Sequence, residues 1–529
     1  MHLSFINASI FLAFVYALYK LVSRSHRRLP PGPAGLPIIG NVYDIPGKFD
    51  WIAYMEMSRK YDSSLISLNF MGSRVVIVNT HDAARDLFER RSLIYSDRPN
   101  FPMLVDLMGF GWNTGFIPYG ERWKGESTFS FASTLILVVA HTCTGHRKIF
   151  RQEIEGHSSA AYHDYEIHEA RLLLRRLLDD PENYRKSIRF MFGRLILAVT
   201  YGIDVKHDSD PYIRNAETAL QAAAACMNAG SFLVDVFPIL RFIPDWFPGA
   251  IFKRKAKEWR KAITAMPVMP MTFVKRSIED GTAEPSVAYK QICLMEADGN
   301  RTRENEDILR DALSTFYAGG ADTTVSALCS FVLAMVLYPN VQKKGQAAID
   351  AVIGSGRLPD FYDCACIPYL QAIFNEVLRW APVLPLGVPR RCTEDNEYNG
   401  YHIPKGATVI FNSWALLHDE AVYGPETETF NPDRFMKDGV LNPDVSFPME
   451  TFGFGRRICA GKDLAIDSIK IMMASLLAVF DFGKAVDAEG NTIEVSGECL
   501  SGGLIHPAPF KCSIRPRCEA AALLIMADT

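Results

Sequence analysis

The sequence predicts a mainly α-helical fold with one small β region, preceded by a transmembrane helix at the N-terminus. Three observations carry this. Apolar residues recur at helical spacing along most of the chain, as in Ala170 to Leu178, Ile188 to Tyr201, Ala216 to Ala225 and Ile308 to Leu337. Strand-like alternation is confined to Leu65 to Asn69 and Val75 to Val78, broken at Gly72 as in a hairpin. Residues Leu3 to Val22 are almost uninterruptedly apolar, close to the ~20 residues that span a bilayer.

With 529 residues, 48% of them hydrophobic, the chain can bury a large core, and one domain plus an anchor is the expected organisation. Residues 1–23 form the anchor, 24–37 a basic and proline-rich linker, and 38–529 the main domain. A net charge of −4 suggests no nucleic-acid partner. The eleven cysteines fall at irregular spacing, which points to reduced thiols on the cytosolic side rather than to a disulfide framework.

Arg24, His26, Arg27 and Arg28 follow the apolar run at once. By the positive-inside rule that cluster stays cytosolic, leaving a short N-terminus in the lumen. A cleaved signal peptide would carry its charge before the apolar run and a small-residue site after it, and neither is present. Leu29 to Pro37 is then a stiff extended spacer. Between Val236 and Lys257, a set of aromatic and aliphatic residues (Phe237, Phe242, Ile243, Trp246, Phe247, Ile251, Phe252) stands beside Lys253, Arg254 and Lys255. This reads either as two helix ends joined by a buried turn or as an interfacial membrane contact.

Inside the longest helical run lies Ala318-Gly319-Gly320-Ala321-Asp322-Thr323-Thr324. Two adjacent glycines in a helix interior cost about 1 kcal/mol each relative to alanine, so something else must want them. Small residues let a helix approach a bound group and open a pocket. Asp322 and Thr323 add an acid and a hydroxyl that can bond into the helix backbone; a capping or turn motif is the plainer reading. Glu376 and Arg379 stand three apart on one helical face. Such a pair is usually solvated, but Ile373, Phe374, Val377, Leu378 and Trp380 around it point to a buried pair with a further partner.

The stretch from Phe452 to Gly461 sets one cysteine, Cys459, among glycines and arginines and leads into a helical run from Lys462 to Phe480. Zinc would want a second Cys or His a few residues away, and none is there. An inert buried cysteine is the plainer alternative. Phe452, Gly455, Arg457, Cys459 and Gly461 fit F-x-x-G-x-R-x-C-x-G, which resembles the signature of the cytochrome P450 monooxygenases. An axial thiolate suits the loop. Gly455 and Gly461 let the backbone pass close to a flat macrocycle, Phe452 shields the sulfur, and amides at the start of the following helix stabilise its charge.

The resemblance runs from about Pro30 to Arg517 and implies the P450 fold. It further implies haem b with Cys459 as metal ligand, and Arg457 and Arg390 as propionate anchors. Asp322 and Thr323, the latter 136 residues before Cys459, match the family's acid and alcohol, which relay protons for dioxygen cleavage. Glu376, Arg379 and Arg434 match a structural triad that holds the segment delivering the cysteine. Val383, Leu384 and Leu386, the stretch from Gly502 to Ile505, and the loop Asn100 to Tyr119 with Phe101, Met103, Leu104, Phe110 and Trp112 would wall a pocket for a lipophilic small molecule. The implied partners are an NADPH-cytochrome P450 reductase and the endoplasmic reticulum membrane, with the catalytic domain cytosolic. Wording such as Trp246-Phe247-Pro248-Gly249 and His506-Pro507-Ala508-Pro509-Phe510 is similar to basidiomycete P450s of secondary metabolism, which favours a terpenoid, indole or other aromatic substrate. A reductase-independent P450-like isomerase or peroxygenase is a rival reading, although such relatives typically alter the positions of Asp322 and Thr323.

One departure from the family pattern supports a third reading, a haem-binding protein without turnover. The family expects W-x-x-x-R on a helix beside the haem, yet after Trp123-Lys124-Gly125 the next arginine is Arg147. Deleting residues 126–145 leaves Trp-Lys-Gly-His-Arg and restores the spacing. The flanks can be encoded as splice sites, GTGAGT across Gly125-Glu126-Ser127 and ACAG into Gly145. The segment is therefore expected to be an in-frame retained intron, absent from the functional protein, with Trp123 and Arg147 flanking the haem. A natural membrane-touching or partner-binding loop is the alternative.

Overall fold

The computed structural model describes residues 28–45, 47–119, 145–227, 231–354 and 356–527. The expected membrane helix Leu3 to Val22, the charges Arg24, His26 and Arg27, the side chain of Trp123 and residues 126–144 lie outside the described residues.

Strands β1 (Leu65–Phe70) and β2 (Ser73–Val78) pair antiparallel, with Leu65 opposite Val78. The hairpin turns on Met71 and Gly72, both at positive φ (48° and 91°), as a two-residue turn demands of its central positions. Two later strands, β3 (Arg390–Arg391) and β4 (Thr408–Phe411), complete a four-stranded sheet in the order β1-β2-β4-β3. The proline-rich residues lie along it, where Ser67 N donates to Pro31 O (2.8 Å).

Four two-stranded sheets, among them Cys499–Leu500 with His506–Pro507, are the only other strands among the described residues, and most of the remainder is helical. The helices that frame the site are α1 (Tyr184–Tyr201), α2 (Pro211–Met227), α3 (Ile251–Glu279), α4 (Arg303–Leu337), α5 (Pro368–Trp380) and α6 (Lys462–Val479). The apolar periods locate α1, α2 and α4 but start them late, while α6 begins at Lys462 as expected. For α4 the reason is visible: its first turn is capped and charged rather than apolar. Thr302 Oγ1 accepts from Asn305 N (3.2 Å), and Glu304 and Glu306 stand where the helix dipole favours acids.

From Ile308 to Val336, α4 is buried nearly all round and packs on α1 and α6. Each apolar side chain removed from water there contributes roughly 1.5–3 kcal/mol. Gly320 permits the contact with α1, since a Cβ would stand 2.9 Å from Ile196 Cδ1. Among the described residues α4 is the one helix long and apolar enough to cross a membrane, but most of it is covered by protein, so it is a core helix.

The segment before α3 corrects one expectation. Leu233–Val236 and Pro238–Phe242 are short helical turns, and Ile239, Phe242, Trp246 and Phe247 are exposed, Trp246 at 80%. A buried turn is thereby excluded.

Candidate active site

Cys459 stands at the mouth of α6, held by two local features. Gly455 adopts φ +53°, and a Cβ there would lie 2.2 Å from Phe88 O, so only glycine fits between the loop and its neighbour. Cys459 N donates to Phe452 O (2.9 Å), closing the loop on itself. The Cys459 side chain is exposed, and it forms part of the wall of a cavity. Burial pushes the thiol pKa up, while the Gly461 N–H and the charges of Arg147 and Lys462 act in the opposite sense.

The cavity measures about 340 Å³. Its floor is the Phe452 to Gly461 loop with Leu464, Ala465 and Ser468 of α6, and its roof is α4, which presents Thr315, Phe316, Gly319, Gly320, Thr323, Thr324 and Ala327. Phe192 and Ile196 of α1 and Val383 and Leu384 close the sides. Three expected wall elements stand back. Leu386 packs under the β1-β2 hairpin instead. Of the loop Asn100 to Tyr119, only Asn113, Thr114 and Gly115 line the cavity, because Met103, Leu104 and Phe110 are spent in the main core. Gly502 to Ile505 are not in the wall; Ile505 N is occupied by Val383 O (2.9 Å).

The two polar residues predicted on α4 part company. Thr323 lines the cavity and donates its hydroxyl to Gly319 O (2.7 Å). Asp322 does not line it. Its carboxylate is turned aside, with Arg189 Nη1 2.8 Å from Oδ1 and His506 Nε2 3.4 Å from Oδ2. Burial by itself pushes that carboxyl pKa up, but His506 and Arg189 outweigh it and hold the group below its ordinary range.

One edge of the cavity is cationic. Arg98, Arg147, Arg390 and Arg457 all line it, and no aspartate or glutamate does among the described residues. Arg457 donates to the carbonyls of Ser96, Thr114 and Ile117 (2.9, 3.0 and 2.7 Å), and Arg147 to Ile458 O (3.0 Å). Arg390 is 1% exposed. It donates once, to Phe454 O (2.7 Å), while Nε and Nη1 are buried without a partner. Burial, then the charges of Arg457 and Arg147, push its pKa down to about 9. A buried guanidinium with idle donors, aimed into a cavity without carboxylates, fits a bound group that carries anionic arms. A lone cysteine on the floor and open space over Gly319 fit the flat, metal-bearing body of such a group.

Behind the floor lies the second charged cluster. Glu376 and Arg379 are fully buried; Arg379 Nε and Nη2 meet Glu376 Oε2 and Oε1 at 2.7 and 2.8 Å. Arg434 Nε joins Oε1 at 3.2 Å, and Asn431 N at 2.7 Å. The i, i+3 spacing on α5 announced the pair, and its apolar surroundings announced the burial.

Sequence reasoning missed Arg98, Arg189 and His506. Arg98 binds the carbonyls of Gly115, Val388 and Pro389 (2.6, 2.8 and 2.8 Å). An arginine in an otherwise loop-like Ser96-Asp97-Arg98-Pro99 carries no local signal, and neither do the other two.

Fold and cavity together define a helical enzyme with a cofactor-sized chamber, cationic at one edge and cysteine-floored. The sequence pattern of the Cytochrome P450 family matches residues 30–512, and the chain belongs to that family. A cytochrome P450 monooxygenase of Armillaria gallica is 42% identical over 96% of this chain and 95% of that protein. One of Hericium erinaceus is 40% identical over 94% and 90%, and tryptamine 4-monooxygenase of Psilocybe cyanescens is 38% identical over 95% and 96%. The chain is thus an oxidoreductase of the monooxygenase type, in a family whose members work with haem and a redox partner.

Proposed function

We propose that this enzyme is a haem-thiolate monooxygenase acting on a lipophilic small molecule of fungal secondary metabolism, of terpenoid, indole or other aromatic type. The observation that carries the reading is Cys459 on the floor of a chamber whose one edge is arginine without carboxylate. Bound haem supplies the dioxygen chemistry that puts one oxygen atom of O2 into a substrate. Cys459 would ligate the haem iron, with Phe452, Gly455 and Gly461 shaping its loop. Arg390, Arg457, Arg147 and Trp123 would hold the propionates, with Arg98 beside them. Thr323 holds a proton at the chamber face of α4 and Asp322 resupplies it. Glu376, Arg379 and Arg434 keep the floor in register.

Substrate chemistry is supported by the wall. Phe192, Ile196, Phe316, Val383 and Leu384 offer apolar surface, and one relative is named for tryptamine, an indole. Electrons come from NADPH through a reductase. Residues 1–23 anchor the chain in the endoplasmic reticulum membrane, and the exposed Ile239, Phe242, Trp246 and Phe247, beside Lys253, touch its surface. Residues 126–145 are absent from the functional form. The helical residues 145–153 support this: a Cβ at Gly145 would stand 2.6 Å from Ile308 Cγ2, and splicing leaves a glycine at the same point before His146.

The deciding experiment is the carbon monoxide difference spectrum of the reduced protein. Wild type should show the red-shifted Soret band of thiolate ligation, and Cys459→Ser should lose it; an unchanged band in the variant would refute the ligand. A product screen on terpenoid and aromatic intermediates, with a reductase present, then identifies the substrate.

A further inference from the structure

Besides its arginine edge, the chamber has a polar corner where the loop residues Asn113 and Thr114 meet Thr315 on α4. Thr114 is tied down there on every side. Its N–H donates to Thr315 Oγ1 (3.0 Å), its carbonyl accepts from Arg457 Nη1 (3.0 Å), and its hydroxyl lies 2.6 Å from His146 Nδ1 and 3.3 Å from Thr315 Oγ1. Thr315 gives its own proton to Asp311 O (2.9 Å), so it accepts from Thr114. Burial pushes the His146 pKa down to about 4. The ring is therefore neutral, and the proton it carries sits on Nδ1 and goes to Thr114. Its Nε2, buried without a partner, is then a bare lone pair, which tolerates burial better than an N–H. The chain from His146 to Asp311 O runs one way and has no idle proton. The other roof hydroxyls are also engaged, Thr323 with Gly319 O and Thr324 with Gly320 O (2.7 and 2.6 Å).

Asn113 differs. It is 7% exposed, and its backbone is held by Phe110 O (3.1 Å) and by Phe116 N (2.9 Å). Its Oδ1 accepts from Gly115 N (2.9 Å), which fixes the orientation of the amide. That leaves Nδ2 donating to nothing among the described residues. On the roof and side walls away from the arginines it is the one side-chain donor still idle among those residues.

We propose that Asn113 Nδ2 orients the substrate, which is a neutral lipophile already bearing an oxygen acceptor, such as a carbonyl, hydroxyl or ether, rather than a protonated amine. The inference rests on the monooxygenase reading and narrows its substrate. A hydrocarbon in the chamber strips water from Nδ2 and leaves the donor unpaired, whereas an oxygenated guest takes the water's place. A protonated amine meets another donor at this corner, and no carboxylate lines the chamber among the described residues. Thr315 stands eight residues before Thr323, about 12 Å along α4. The acceptor thus belongs toward one end of the skeleton and the carbon to be oxidised toward the other.

The test compares the haem-loaded wild type with Asn113→Asp, which keeps the oxygen that Gly115 N needs and removes the donor. Dissociation constants are read from the Soret shift on titration with matched probes. One pair is nootkatone, a sesquiterpene ketone, and valencene, the hydrocarbon of the same skeleton; the other is N-acetyltryptamine and tryptamine. The ketone-to-hydrocarbon affinity ratio should fall about tenfold in the variant, through the ketone alone. Wild type should favour the amide over the amine, and the variant should reverse that order. Unchanged ratios overturn the proposal, as does a loaded chamber that binds none of the four. If the variant releases haem to an acceptor protein faster while both ratios stay, Asn113 serves the anionic arms and the substrate role falls. Should the variant fail to fold, the infrared carbonyl stretch of nootkatone bound to wild type decides: a frequency below that in hexane supports the donor, and an unshifted one overturns it. The carbon monoxide spectrum keeps the two readings apart. A wild type without the thiolate Soret band sinks the monooxygenase reading and this one with it, whereas a thiolate band with unchanged ratios sinks this one alone.

Discussion

Two buried arginine clusters lie on either side of the cysteine loop, and they are built on opposite principles. Behind the floor, Arg379 and Arg434 converge on Glu376, and both Glu376 oxygens are engaged. At the chamber edge, Arg390 sits near Arg457 and Arg147 with two idle nitrogens and no lining carboxylate. The first cluster is complete without a ligand. The second carries a cost the folded chain does not offset by itself, which is the mark of a site rather than of scaffold. The difference teaches that charge burial alone does not separate structure from function; the bookkeeping of partners does.

Removing the anion from the complete cluster should break the protein most severely. Glu376→Leu leaves Arg379 and Arg434 buried against each other, a loss of roughly 3–5 kcal/mol. The expected outcome is little soluble protein and no thiolate Soret band; wild-type haem content in this variant would show that the cluster is not the scaffold.

The next effect concerns the expected insertion, residues 126–145, which ends just before Arg147 at the chamber edge. A chain lacking residues 126–145 should bind haem severalfold more completely than the full chain when both are expressed alike, judged by the ratio of haem to protein absorbance. Equal occupancy, together with transcripts that retain the sixty nucleotides, would favour a natural loop.

Arg390→Leu gives the sharpest contrast with Glu376→Leu. It removes a cation that lacks a protein counter-charge, so the chain should fold normally by far-UV circular dichroism. Haem should nevertheless be lost to an acceptor protein about tenfold to a hundredfold faster, since a charged hydrogen bond contributes roughly 1.5–3 kcal/mol. Slower expression without faster haem loss would assign Arg390 to the scaffold instead.

A buried acid extends the comparison. Among the described residues Glu166 meets no cation: Oε1 accepts from Ser468 Oγ (2.5 Å) and Oε2 is buried without a partner. Burial pushes its pKa up to about 9. The folded chain therefore holds this proton more tightly than the unfolded chain does. Its stabilising contribution is complete below the ordinary carboxylate range and is lost as pH rises toward about 9. Glu166→Gln, which cannot ionise, should melt like wild type near pH ~5 and above it near pH ~8. A melting difference that does not grow with pH would mean Glu166 is paired in solution.

Much of the scaffold was legible. Ala170 to Leu178 and Ile308 to Leu337 showed as helices because burial of one face or of the whole cylinder writes a period into the residues. Gly455 and Gly72 showed as turns because the backbone conformation needed there is one that side chains resist. Glu376 and Arg379 showed as a buried pair because their neighbours in the same helix are apolar. Arg98, Arg189 and His506 did not show, since each acts on a partner far along the chain and looks like any surface residue locally. Asp322 showed as an acid beside an alcohol, but not as an acid facing away from it.

By itself, then, the sequence determined where helices run, where the loop around Cys459 must turn, and which residue types are available to the chamber. Those follow from interactions within a few residues. Only the tertiary structure decided which cation meets a carboxylate and which does not, and on which side of α4 each polar group ends. Those outcomes depend on what packs against a helix from elsewhere: Arg189 and His506, 133 residues before and 184 residues after Asp322, reach the same carboxylate because α1 and the C-terminal strand close on α4.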